Sequence, residues 1–184
     1  MIYLSAGHNL GSPTTKADPG AVRGALHEVN LTIIQRDLTI AELSKLGVKV
    51  ERDTNTETLG QYLARLKKKV KPSDIAMEYH FDAASQAATG ATSVIGDDAS
   101  QISKDLAKEM VDATARILGI RNRGVITEAQ SHRGKLGFMR LACPCLILEL
   151  AFISNPSDTD KWEDKRDELA KEHAKILKKY DALK

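Results

Sequence analysis

The sequence predicts an α/β fold: a single domain with a mostly parallel or mixed central sheet and helices on both faces. Three observations carry this. Short apolar or alternating runs take turns with segments of helical period along most of the chain. The apolar run Cys145 to Asn155, bounded by Pro144 and Pro156, reads as a buried central strand. The 184 residues, 42% apolar and 28% charged, make one domain by size and bury a core without staples.

The elements follow in order. Met1 to Leu4 is a short apolar strand. Ser5 to Gly11, rich in small residues, is the loop leaving it, and turn chemistry continues through Pro13, Asp18-Pro-Gly20 and Gly24. Glu28 to Leu46 has helical spacing, with Leu31, Ile34, Leu38, Ala41 and Leu46 as its apolar positions, and Gly47 stops it. Val48 to Arg52 alternates as a second strand. Thr58 to Val70 is a helix with Leu59, Tyr62, Leu63 and Leu66 on one side. Its Lys67-Lys68-Lys69 run is a solvated last turn, and Pro72 closes it.

Asp74 to His80 is a third strand ending in a histidine. Phe81 to Gly90 is a small, polar loop and Ala91 to Ile95 a further strand. Asp98 or Ser100 caps a helix to Leu118, with Ile102, Leu106, Met110, Ala113 and Ile117 as its stripe and Gly119 as its stop. Arg121 to Gly137 is loop-rich and basic, and Phe138 to Leu141 is a short strand. After the apolar run, Asp158 to Lys184 is a highly charged helix with Leu169, Ile176, Leu177 and Tyr180 as a thin apolar face.

Bulk properties exclude some functions. A net charge of +2 gives no footprint for nucleic acid. No run has the length of a membrane-spanning helix, so membrane insertion is not expected. The N-terminus lacks the basic and apolar regions of a secretion signal, so the chain is expected to be made in the cytoplasm. Cys143 and Cys145 flank Pro144. They are too close along a strand for easy disulfide geometry, and no second thiol pair completes a structural zinc site, so they read as core residues.

One charge, Glu149, interrupts the central apolar run. A buried carboxylate is costly unless it is paired or stands at a strand end. It is either half of a structural ion pair or a reactive group at the carboxyl end of a sheet strand, where open α/β sheets place their sites. Of the histidines His8, His27, His80, His132 and His173, two end predicted strands: His8 and His80. Strand ends on one side of a sheet bring such rings together. Glu28 opens the first long helix, whose N-terminus faces the same side. His8, Glu28 and His80 therefore form a two-histidine, one-carboxylate set, the number of protein ligands a hydrolytic zinc takes beside its open position. Each histidine alone is more often structural. Glu78 shares a strand face with His80, either holding its ring or standing as a solvated rim residue, the blander of the two. His173 reads as a surface residue.

These motifs resemble the zinc-dependent N-acetylmuramoyl-L-alanine amidases, the autolysins and phage endolysins that cut peptidoglycan. Ile2-Tyr-Leu-Ser-Ala-Gly-His8 with Asp18-Pro-Gly-Ala21 resembles the family's opening strand, Gly-His pair and D-x-G-A turn, and Glu28 follows as its helix-opening Glu. Glu78-Tyr-His-Phe-Asp82 aligns with the S-I-H-x-N motif. Arg123-Gly-Val125 resembles the R-G-hydrophobic element. Pro144 to Asn155 resembles P-x-x-L-x-E-x-G-F-hydrophobic-S-N closely. Departures are Ser5-Ala-Gly-His-Asn-Leu for the usual Gly-rich opening, Glu78 and Asp82 around His80, and Ala151 before the Phe. None removes a ligand or the Glu.

The resemblance, which covers nearly the whole chain, implies one Zn2+ per chain held by His8, Glu28 and His80, with Glu149 as general base. It implies cleavage of the amide between N-acetylmuramic acid and L-alanine of the stem peptide. His27 is left as a non-ligand. Asp82, His132 and Arg133 are candidate substrate contacts, with the loop Thr127 to Lys135 either lining the cleft or an ordinary surface loop. The expected protein is one catalytic domain over 1–184 with no separate wall-binding segment, a phage-type endolysin acting on the cell wall after release. A sporulation or germination amidase is the alternative. A zinc peptidase acting within the stem would need an H-x-x-E pair, which the chain lacks. A wall-binding protein without activity would need neither an open metal nor a base.

Overall fold

The computed structural model describes residues 1–183. Along the chain run β1 (Ile2–Ala6), a hairpin of β2 (Val22–Arg23) and β3 (Leu26–His27), α1 (Glu28–Lys45), β4 (Val50–Arg52) and α2 (Leu59–Leu66). Then come β5 (Ile75–Asp82), β6 (Ala91–Ile95), α3 (Gln101–Leu118), β7 (Asn122–Thr127), a 3-10 turn (Gly137–Arg140), β8 (Cys145–Phe152) and α4 (Pro156–Asp181). Six strands form one sheet in the order β4-β1-β5-β8-β6-β7. The first four are parallel, β6 runs antiparallel to β8, and β7 is parallel to β6. The sheet is therefore mixed, with its parallel strands at the centre.

Strand alternation divides the core into two layers. Ile2, Leu4, Met77, Tyr79, Leu146 and Leu148 share a cluster with Leu106 and Met110 of α3 and with Trp162, Leu169 and Leu177 of α4. Tyr3, Ala76, Val94 and Ile147 point the other way, under Tyr62, Leu63 and Leu66 of α2 and Phe138 and Met139 of the 3-10 turn. Helices cover both faces, but the second cover is thin. The helix starts carry the caps their sequence offers. Thr58 and Gln61 form a reciprocal capping box on α2, Ser100 accepts from the Ser103 amide on α3, and Asn155 accepts from the Asp158 amide ahead of Pro156 on α4.

The buried side of α1 is polar, not the predicted apolar stripe. Glu28, Thr32, Gln35, Arg36 and Thr39 are buried with Val29, Leu31 and Leu43, whereas Ile34, Ala41 and Leu46 are exposed. Each buried polar group has a partner, which removes the penalty that would otherwise keep it outside. Thr32 donates to the Gly7 carbonyl at 3.1 Å, the Trp162 indole donates to Gln35 at 2.8 Å, and Thr39 meets the Tyr79 hydroxyl at 3.0 Å. Arg36, fully buried, donates to Asp53 at 2.6 Å, and Asp53 also accepts from the Ala6 amide at 3.1 Å. This pair braces the end of β1 just before Gly7-His8.

Other expectations are corrected as well. Within the predicted loop Arg121 to Gly137 lies strand β7, an edge strand paired with β6, whose polar, Gly-containing sequence hides it. Phe138 to Leu141 is not a strand: Gly137–Arg140 turns as a 3-10 helix and plugs the thin layer with Phe138. His173 is fully buried between Tyr79 and Thr114. The tail helix ends at Asp181, and Lys184 lies outside the described residues.

Candidate active site and metal centre

The site forms at the carboxyl ends of β1, β5 and β8. His8 follows β1 with a left-handed backbone (φ 71°), Glu28 is the first residue of α1, and His80 is near the end of β5. Their donor atoms all lie within 4.8 Å of one another. His8 Nε2 is 3.0 Å from Glu28 Oε2, and His80 Nδ1 is 2.9 Å from Glu28 Oε1. Two close approaches need glycine. A Cβ on Gly7 would stand 2.3 Å from His80 Cε1. One on Gly20 (φ +67°) would stand 2.5 Å from His8 Cδ2 and 2.6 Å from Glu28 Oε2.

Each ring has a second carboxylate behind it. His8 Nδ1 is 3.0 Å from Asp18 Oδ2, and His80 Nε2 is 3.0 Å from Glu78 Oε1. Glu78 is buried, and its other oxygen accepts from Ser5 Oγ at 3.0 Å, so it is no solvated rim residue. A carboxylate that takes one ring N–H leaves the opposite nitrogen's lone pair free, which orients the ring for a metal. Glu28 is fixed by the Phe81 amide at 3.0 Å and the Ala21 amide at 2.9 Å. Burial opposes its ionisation, but hydrogen bonds and charge from His8 and His80 hold its carboxyl well below the usual range. Burial likewise pulls the two imidazoles down. Glu28 outweighs it at both, with Asp18 at His8 and Glu78 at His80, so both are raised.

Glu149 lies opposite His80 in the β5–β8 register and is 2% exposed. Arg133 Nη1 donates to its Oε1 at 2.5 Å, and Arg133 Nη2 is 3.5 Å from Asp82. Its Oε2 is buried and has no hydrogen-bond partner among the described residues. Burial pushes its carboxyl up against the pull of His80 and Arg133. The loop that delivers Arg133 is held at its base by Glu128, which is buried and accepts from the Leu136 amide and from Arg140. So Asp82 and Arg133 join Glu149, and His132 lines the same cavity. His27, in β3, stays outside the trio. The sequence reading missed the partner role of Asp18. Its signal is a carboxylate in the turn that returns to the histidine loop, where Asn9 and Asp18 bridge.

Two imidazoles and a carboxylate on short tethers suit a metal ion, and the orphaned Glu149 oxygen suits a proton carrier beside it. An open mixed sheet bearing this cluster at its strand ends offers the groups that metal-assisted hydrolysis needs. The particular family follows from comparison: the family model for N-acetylmuramoyl-L-alanine amidase matches residues 2–179, and the chain belongs to that family. It is thereby a peptidoglycan amidase. No curated protein matches the chain.

Solved structures share the fold. An N-acetylmuramoyl-L-alanine amidase from Clostridium difficile 630 superposes with a TM-score of 0.80 at 20% identity, over 97% of this chain and 95% of that one. The catalytic domain of CwlV, an amidase from Bacillus (Paenibacillus) polymyxa var. colistinus, does so at 0.79 and 20%, over 100% and 98%. The catalytic domain of the CD27L endolysin targeting Clostridia difficile follows at 0.73 and 17%, over 97% and 96%.

Proposed function

We propose that this chain is a zinc-dependent amidase that holds one Zn2+ through His8, Glu28 and His80 and uses Glu149 as its general base. The bond cut is the amide joining the lactyl group of N-acetylmuramic acid to L-alanine of the stem peptide. One observation carries the reading: three donor atoms within 4.8 Å of one another, beside a buried carboxylate with one oxygen unpaired. When bound, zinc supplies polarisation of the amide carbonyl and acidification of water.

The chain's own groups do the rest. Asp18 and Glu78 each take a ring N–H and present His8 Nε2 and His80 Nδ1 as donors. Arg133 fixes Glu149 Oε1, which leaves Oε2 to accept a proton from the attacking water. As the new C–O bond forms and the C–N bond breaks, Oε2 returns that proton to the L-alanine nitrogen. A carboxyl raised by burial is suited to this relay, because proton transfer is most effective when the carrier's pKa approaches the working pH. His132, with Asp82 and Arg133, lines the substrate side of the cleft.

The test is mass spectrometry of digested peptidoglycan together with elemental analysis. Free L-alanine amines, intact glycan strands and one zinc per chain are expected. Glu149→Gln should retain zinc and lose activity by roughly 10²–10⁴-fold. A cut inside the stem peptide, or a Glu149→Gln enzyme that works normally, overturns the assignment. We further propose an endolysin role, with a chain made in the cytoplasm and acting on the wall after release. The likeness to an endolysin catalytic domain supports it. Clearing of intact cells by added protein is expected, and activity confined to purified, modified wall would point instead to a sporulation or germination role.

A further inference from the structure

Cavities flank Glu149 and the trio, and they differ in charge. One, about 170 Å3, is lined by Leu59, Tyr62, Phe138 and Ile147 and by the acidic Asp53 and Glu57, with Arg133 as its one arginine. The other, about 310 Å3, contains Glu149 and is lined by Arg121, Arg123 and Arg133. Arg133 is engaged with Glu149 and Asp82. Among the described residues, Arg121 and Arg123 make no ion pair.

Those two guanidinium groups are carried by braced backbone. Arg123 lies in β7 and Arg121 immediately precedes it. β7 has one extra residue against β6, since Ala91 pairs with Asn122 but Ser93 with Val125, and Gly124 takes φ +81° there. The Arg123 guanidinium lies 5.1 Å from the centroid of the Phe152 ring, and Phe152 is the register partner of Asp82. Gly90 permits the approach: a Cβ on it would sit 2.4 Å from the Arg121 carbonyl oxygen and 2.9 Å from Arg123 Cγ.

We propose that Arg121 and Arg123 form a carboxylate-binding subsite for the stem peptide. The proposal rests on the amidase reading and deepens it. The scissile amide joins a neutral muramoyl group to a peptide that carries free carboxylates. Of the two cavities, the one that contains Glu149 also holds Arg121 and Arg123, which make no ion pair among the described residues, so the peptide lies along β7 and the muramoyl group lies toward Tyr62 and Phe138. This orientation spans the cleft with the amide at Glu149 and the trio. Guanidinium forks match carboxylates in two-point geometry, which makes the pairing selective for an acid over its carboxamide.

The experiment compares two synthetic muramoyl-L-alanyl peptides, one with free carboxylates beyond the alanine and one with those groups as carboxamides. The zinc-loaded full chain should favour the acid by roughly tenfold in kcat/KM, mostly through KM, in keeping with charge-assisted hydrogen bonding. In Arg121→Gln/Arg123→Gln that preference should fall toward one, and added salt should lower it in the wild type. Equal use of both peptides by the wild type overturns the subsite and leaves the amidase reading standing, as does an equal loss on both in the variant. Cleavage of neither peptide overturns both.

Discussion

Acid sensitivity of the fold should trace to His173. The ring is fully buried, with Tyr79 Oη 2.8 Å from Nδ1 and Thr114 Oγ1 2.9 Å from Nε2. Thr114 spends its own proton on the Met110 carbonyl at 2.7 Å, so it accepts from Nε2–H while the Tyr79 hydroxyl donates to Nδ1. The neutral ring is satisfied, and among the described residues no carboxylate pairs with it. Desolvation by burial therefore lowers its pKa from 6.5 to about 3. The unfolded chain binds the proton first, so stability is complete above the unfolded pKa and is lost as pH falls from about 6.5 toward 3. At 1.36 kcal/mol per unit, the loss between pH 7.5 and pH 5 is about 2 kcal/mol. His8 and His80 run the other way, since their folded pKa values are raised and they add stability as pH falls toward the unfolded value. Comparison of wild type with His173→Gln at equal zinc removes that contribution. Urea denaturation at the two pH values should show a wild-type loss larger by about 2 kcal/mol than that of the variant. Equal losses would refute the reasoning, because a ring that stays solvated, or that meets an anion, has no reason to titrate low.

Two further outcomes test the proposed metal centre. Glu78→Ala removes the partner of the His80 Nε2–H, so zinc affinity should drop roughly 10–100-fold in a chelator-competition titration; an unchanged affinity would make Glu78 a bystander. Gly20→Ala places a Cβ against His8 and Glu28 at a left-handed backbone position, so zinc content after dialysis should fall well below one per chain, and full retention would show that the turn can move aside.

The parts of the fold legible in the sequence are those with local signals. The apolar run forms β8, Gly119 closes α3, and of the two cap candidates for α3 Ser100 is the one used. The corrected parts depend on tertiary partners. Nothing local in α1 says that Arg36 will meet Asp53 or that Gln35 will meet Trp162, so its apolar periodicity pointed at the wrong face. His173 on a charged helix reads as exposed for the same reason. Edge strand β7, paired on one side, carries too few apolar residues to announce itself. In the candidate site, His8, Glu28 and His80 stand out at strand ends and a helix start and through the motifs they share with the amidases, and Glu149 stands out as the one charge in the apolar run of β8. Asp18 and Glu78 were harder, because a carboxylate near a histidine in sequence says little until both side chains share a face.

Shared facing is also what ties the site to the fold. On β5, Glu78 and His80 alternate with Met77, Tyr79 and Phe81; on β8, Glu149 alternates with Leu148 and Leu150. The odd positions of β5 and Leu146, Leu148 and Leu150 of β8 belong to the large cluster under α3 and α4. A slip of one residue in either strand would drive a carboxylate or an imidazole into that cluster and expel Tyr79 or Leu148 from it. Burial of those apolar side chains, worth roughly 1.5–3 kcal/mol each, thus fixes the register that sets His80 opposite Glu149. The polar residues then fall on the thinly covered face, where α2 and the 3-10 turn leave room for a substrate. Apolar strand positions that touch no reactant are what hold the donor set together, and a substitution that loosens register, such as Tyr79→Ser, should cost zinc binding as well as stability.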